Sequence, residues 1–136
     1  MLTVNSVEFY ERVEQVNGQP VFAGKYEQLH FANYPATTRI PAIAIYIHAD
    51  GAFKGSYFIR VRLGERIIFK STPTSIHGPD TGDGENIGLV NAIESITFHS
   101  TGVYMFDIVF EDVVIYSAPL TLTWKTNKLK RTASRK

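Results

Sequence analysis

The stretch Ile96–Trp124, ITFHSTGVYMFDIVFEDVVIYSAPLTLTW, decides the fold class. Tyr104, Phe106, Ile108 and Phe110 occupy every second position, and so do Leu120, Leu122 and Trp124, with Thr121 and Thr123 between the latter. Successive side chains of a strand point to opposite faces, so a period of two predicts strands with one buried face. The same stretch holds no nucleophile–base pair, metal-ligand cluster or phosphate loop.

Outward from this segment, turn signals recur at strand-sized intervals. Asn17-Gly18 and Asp50-Gly51 are short-range turn pairs. Leu63-Gly64-Glu65-Arg66 reads as a hairpin loop, His77 to Gly88 as a long Gly-rich loop, and Glu111-Asp112 as a strand connection without the usual Gly. Between them lie eight or nine strands: Val4–Gln15, Val21–Phe31, Ile40–His48, Gly55–Leu63, Ile67–Ser71, Ile93–His99, Val103–Phe110, Val113–Tyr116 and Leu120–Lys125. In Gly55–Leu63, Tyr57, Ile59, Val61 and Leu63 face one way and Arg60 and Arg62 the other. No window carries the i, i+3, i+4, i+7 spacing of a helix. The pattern predicts an all-β, antiparallel β-sandwich, either immunoglobulin-like or jelly-roll-like. Pro41 and Pro119 cannot donate to a ladder and belong at edges, strand ends or bulges.

Gly-x-Tyr occurs at Gly24, Gly55 and Gly102. The last precedes the most regular strand, which is where a tyrosine corner would sit, its phenol bonding back to upstream backbone. Gly102 and Tyr104 are therefore the candidate structural pair, with Phe106 at the position a Cys holds in antibody domains.

The order of motifs carries a resemblance. A Gly-Lys-Tyr strand precedes a Pro-containing loop (Asn33-Tyr34-Pro35), an Ile-rich strand, Gly-x-Tyr-x-Ile-x-Val-x-Leu, Ile96-x-Phe98, Thr101-Gly102-x-Tyr104-x-Phe106 and Pro119-Leu120-x-Leu122. Over Pro20 to Trp124 this resembles an uncharacterised family of small bacterial β-sandwich proteins, catalogued as a domain of unknown function. The resemblance implies the sandwich and supplies no activity and no catalytic residue.

Composition narrows the function classes. A length of 136 residues suits one domain whose core needs no staples. With no Cys there is no disulfide, thiolate metal site or Cys nucleophile. The N-terminus lacks a signal-peptide pattern and no apolar run suffices for a membrane helix, so a cytoplasmic protein without membrane contact is expected. Six of the 14 Lys and Arg fall in the last twelve residues, leaving eight against 13 acids, so the body carries about −5 and the tail +6. A domain over 1–125 with a flexible basic tail over 126–136 follows.

Candidate chemistry is sparse. Asp80, Asp83 and Glu85 offer carboxylates for a hard cation, but their spacing is not that of an EF-hand, so no metal site and no cofactor is assigned. His30, His48, His77 and His99 show no ligand spacing. Asp107 and Glu94 are inward-facing candidate acids with nothing to pair them, and no enzyme is expected. Tyr34, Tyr46 and Phe53, with Tyr57 and Phe58, are candidates for an aromatic surface on which a sugar could stack. Lys128, Lys130 and Arg131 are the tail's candidate phosphate contacts, although the acidic body argues against nucleic acid. What remains is a non-enzymatic binding module, with a protein partner or its own copy favoured and carbohydrate as the alternative.

Overall fold

The computed structural model describes residues 2–51, 53–77 and 84–125. Ten strands run in the order β1 (Leu2–Val16), β2 (Gln19–Tyr26), β3 (Gln28–Phe31), β4 (Ala36–Asp50), β5 (Lys54–Leu63), β6 (Arg66–Lys70), β7 (Thr74–His77), β8 (Gly84–Phe98), β9 (Gly102–Phe110) and β10 (Val113–Trp124). They form a four-stranded sheet, β2-β1-β4-β8, and a six-stranded sheet, β3-β10-β9-β5-β6, with β7 also paired to β5. The fold is thus the expected all-β sandwich. Every ladder is antiparallel except β3–β10, which is parallel.

The alternating residues meet between the sheets. Ile43, Ile45 and Ile47 of β4 face Ile59 and Val61 of β5, Phe106 and Ile108 of β9 and Leu120 of β10 across a core in which each is almost fully buried. Two edge-to-face aromatic contacts join the layers, Phe9–Phe106 and Phe98–Tyr104, each with ring centroids 4.9 Å apart. Burying each such side chain stabilises the fold by roughly 2–3 kcal/mol.

Turn chemistry fixes the register. Asn17 and Gly18 both take positive φ and close β1 on β2. Glu111 and Asp112 do the same for β9 and β10 without a glycine, at φ 47° and 67°. Ser56 of β5 holds that turn: the Glu111 carboxylate accepts from its backbone N–H at 2.9 Å, and the Glu111 N–H donates to its carbonyl at 3.1 Å.

Several boundaries differ from the sequence expectation. Val21–Phe31 divides at Glu27, because the chain leaves one sheet after Tyr26 and joins the other at Gln28. β10 is one strand through Pro119, where two were expected. β3 reaches β10 only at Thr121–Trp124, so the side of Pro119 away from β9 has no strand partner and the missing N–H is tolerated. Pro41 lies where the β4–β8 register shifts, a bulge as expected. Residues 84–88, read as loop, are the start of β8, and β7 is an additional strand.

Candidate functional site

The residues anticipated as a site do not converge. Tyr34 packs edge-on against Trp124 and donates to the Thr123 carbonyl at 2.6 Å. Tyr46 lies on the outward face of β4 opposite Gly88, and Phe53 packs against Phe110. Tyr57, a candidate for the aromatic surface, is only 6% exposed and donates to Asn91 Oδ1, on the core face that it shares with Ile59 and Val61 as the alternation predicts. Glu85 is exposed on β8 opposite Ala49, while Asp80, Asp83, Lys128, Lys130 and Arg131 lie outside the described residues. Among the described residues no three His, Asp or Glu side chains are grouped to hold a metal ion. Tyr104 donates to the Ser100 carbonyl at 2.8 Å, closing a loop that Gly102 enters at φ 142°. A Cβ on Gly102 would lie 3.0 Å from Leu63.

The most organised polar cluster centres on Asp107, which is fully buried. Neither of the two acids expected to face inward does so: Asp107 points to the outward face of β9, and Glu94 is exposed on β8. Cross-strand register builds the cluster. Ser117 of β10, Asp107, Arg60 of β5 and Lys70 of β6 form one continuous row across four strands. Asp107 Oδ2 accepts from Arg60 Nε at 3.0 Å and Arg62 Nε at 2.8 Å; Oδ1 accepts from Ser117 Oγ at 2.6 Å and Arg62 Nη2 at 3.2 Å. Arg62 Nη1 also donates to the Gly64 carbonyl at 3.0 Å. Burial would push the Asp107 pKa up, but the bonds from Arg62, Ser117 and Arg60 outweigh it and hold the carboxyl below its ordinary value. Arg60-x-Arg62 on one strand face was the visible signal; the register that delivers Asp107 between them was not.

Two further polar groups flank the four-stranded sheet. Glu8 accepts from Tyr10 at 2.7 Å and pairs with Lys25 at 3.1 Å, so its pKa falls while that of Tyr10 is pushed up to about 12. Glu8 and Lys25 border an opening of about 470 Å³ where β1 and β10 both lack a neighbour. His48 links Asn86 at 2.8 Å and Asp50 at 2.9 Å, and both bonds raise its pKa, that to Asn86 most.

Comparison with known proteins adds a family. The family of unknown function DUF6941 matches residues 10–123 of the 136. The chain belongs to this family. Membership in DUF6941 accords with the resemblance read from the motifs and covers all but the outer part of β1 and the residues from Trp124 onward. No curated protein matches the chain. Among the described residues no helix is long and apolar enough to cross a membrane. In this DUF6941 chain the described residues form one built polar cluster and one long strand edge that has no ladder partner among them. That edge is β8, fifteen residues paired on one side with β4 and terminal in its sheet.

Proposed function

We propose that the protein is a non-enzymatic interaction module that pairs with a second copy of itself along β8. The observation that carries this reading is the composition of that edge. Between Glu85 and Glu94 the strand reads Asn86-Ile87-Gly88-Leu89-Val90-Asn91-Ala92-Ile93, without a charge or a proline, and Val90 is 45% exposed. Natural edge strands are usually blunted by charge, proline or bulges, and this one is blunted only at its ends, by the two glutamates and by the register shift near Ile93–Ile96.

The sequence favours its own copy as the partner strand. Antiparallel self-pairing about Val90 sets Ile87 against Ile93, Glu85 against Ser95 and Glu94 against Asn86, so like charges stay apart. A two-fold axis there joins two four-stranded sheets into one of eight strands, an isologous and closed arrangement. The scattered positions of Tyr34, Tyr46 and Phe53 favour protein over carbohydrate as the ligand. A bacterial cytoplasm suits the Cys-free sequence.

Light scattering at micromolar concentration tests the proposal. The expected result is a dimer mass for the native chain and a monomer mass for Val90→Lys, which adds a charge to the centre of the edge. A monomeric native chain, or a Val90→Lys variant that stays dimeric, would refute it.

A further inference from the structure

We infer that the Arg60–Arg62 pair forms a preorganised receptor for an oxyanion, a phosphate or carboxylate group, in the cleft beside the β5–β6 hairpin. Residues 53–77 contain five cations, Lys54, Arg60, Arg62, Arg66 and Lys70, and a single acid, Glu65. This ribbon is thus +4 within a body of about −5. Charge of one sign gathered on one hairpin draws in ions of the other.

The two arginines are not free surface side chains. Asp107, held by Ser117 of the neighbouring β10, fixes Arg60 through Nε and Nη2 and Arg62 through Nε and Nη2, and the Gly64 carbonyl fixes Arg62 Nη1. One carboxylate cannot neutralise two guanidiniums, so a full positive charge is left over, and Lys70 adds another beside Arg60. Arg60 Nη1 meets no protein acceptor among the described residues, and the two side chains remain 25% and 29% exposed. They open onto a cleft of about 320 Å³ lined by Gly64, Glu65 and Ile67 as well. A guanidinium already locked in orientation loses little entropy on binding, and its planar fork matches two oxygens of a carboxylate or phosphate. The buried aspartate thus positions the arginines and leaves the ligand as the missing partner. Glu65, at the rim and in no ion pair among the described residues, opposes a second negative charge.

The test is a titration of the ¹⁵N-labelled full chain with inorganic phosphate and, separately, succinate, following the arginine Nε–H resonances against sodium chloride at matched ionic strength. The expected result is a saturable shift of Arg60 and Arg62 with one or both anions, with a midpoint below about 10 mM, and none with chloride. Arg60→Gln should weaken binding at least about tenfold, as loss of a charge-assisted hydrogen bond does. Glu65→Gln should tighten it about threefold, the effect of removing one exposed charge. If only phosphate saturates, the ligand is a phosphate ester or free phosphate; if only succinate does, it is a carboxylate. Linear shifts with both anions, or unchanged binding in folded Arg60→Gln, would overturn the inference. Should Arg60→Gln unfold, Glu65→Gln and Lys70→Gln, both exposed, decide it by tightening and weakening respectively, and no change in either refutes it.

Discussion

Replacing Asp107 by alanine removes the one fully buried charge among the described residues and strands two arginines that were oriented by it. Breaking a buried ion pair from one side costs about 3–5 kcal/mol when the remaining charge stays buried. Arg60 and Arg62 are a quarter or more exposed and can turn into water, so the lower end applies, about 3 kcal/mol. At about 2.1 cal/mol/K of unfolding entropy per residue, 136 residues convert this to a fall in Tm of about 10 °C. Asp107→Asn keeps the shape and the acceptor for Ser117 but loses the charge, and a fall of about 7 °C is expected from about 2 kcal/mol. The pH dependence separates charge from packing. Because the folded pKa of Asp107 lies below its unfolded value, its stabilisation is full above the ordinary 3.8 and is lost as pH falls through the lower folded value. Thermal unfolding followed by circular dichroism from pH 7 to pH 2 should therefore show the native chain and Asp107→Asn converging in acid. A loss under about 1 kcal/mol for Asp107→Ala at pH 7, the behaviour of an exposed pair, would refute the reasoning.

Other perturbations follow from single contacts. Tyr104→Phe deletes the hydroxyl that satisfies the Ser100 carbonyl and should lower the urea unfolding free energy by about 1–2 kcal/mol. Asp112→Gly relieves a positive φ at an exposed position without losing the bonds Glu111 makes to Ser56, and a gain of about 0.5–1 kcal/mol is expected in the same assay. His48 has a raised folded pKa, so the stability it contributes is complete below the unfolded 6.5 and disappears as pH rises through the folded value. Amide exchange of Gly84–Ile87 relative to the core should accordingly quicken between pH 6 and pH 8, after correction for intrinsic rates, and Asn86→Ala, which leaves only the bond to Asp50, should reduce that difference.

The sandwich was legible wherever alternation and turn chemistry agreed. β5 and β9 could be read to within a residue, because large apolar side chains take every second position along each, although Asp107 and Val109 bury part of the outer face of β9 as well. β7 escaped because Thr74-Ser75-Ile76-His77 is four residues with a single buried side chain. The first part of β8 looked like loop because Gly84, Asn86 and Gly88 are turn formers, yet pairing with His48–Asp50 imposes extended backbone on this end of the strand. Pro119 split β10 on paper because a sequence does not show which side of a strand lacks a neighbour. For the polar cluster, Arg60 and Arg62 were visible on one face. That Asp107 fills the gap between them depends on a β5–β9 register spanning 47 residues, and local pattern does not encode such a pairing.

The parallel ladder between β3 and β10 bears on how the chain is made. His30 and Thr123, which bond across it, are 93 residues apart in sequence. During synthesis β1 and β2 can close as soon as they emerge, while β3 must wait, its ladder unfilled, until almost the whole domain has left the ribosome. Loop closure over such a span is entropically slow, which places this fold among the millisecond-to-second folders. A nascent chain stalled before Thr121 would therefore present β3 as an open strand to whatever chaperone stands nearest.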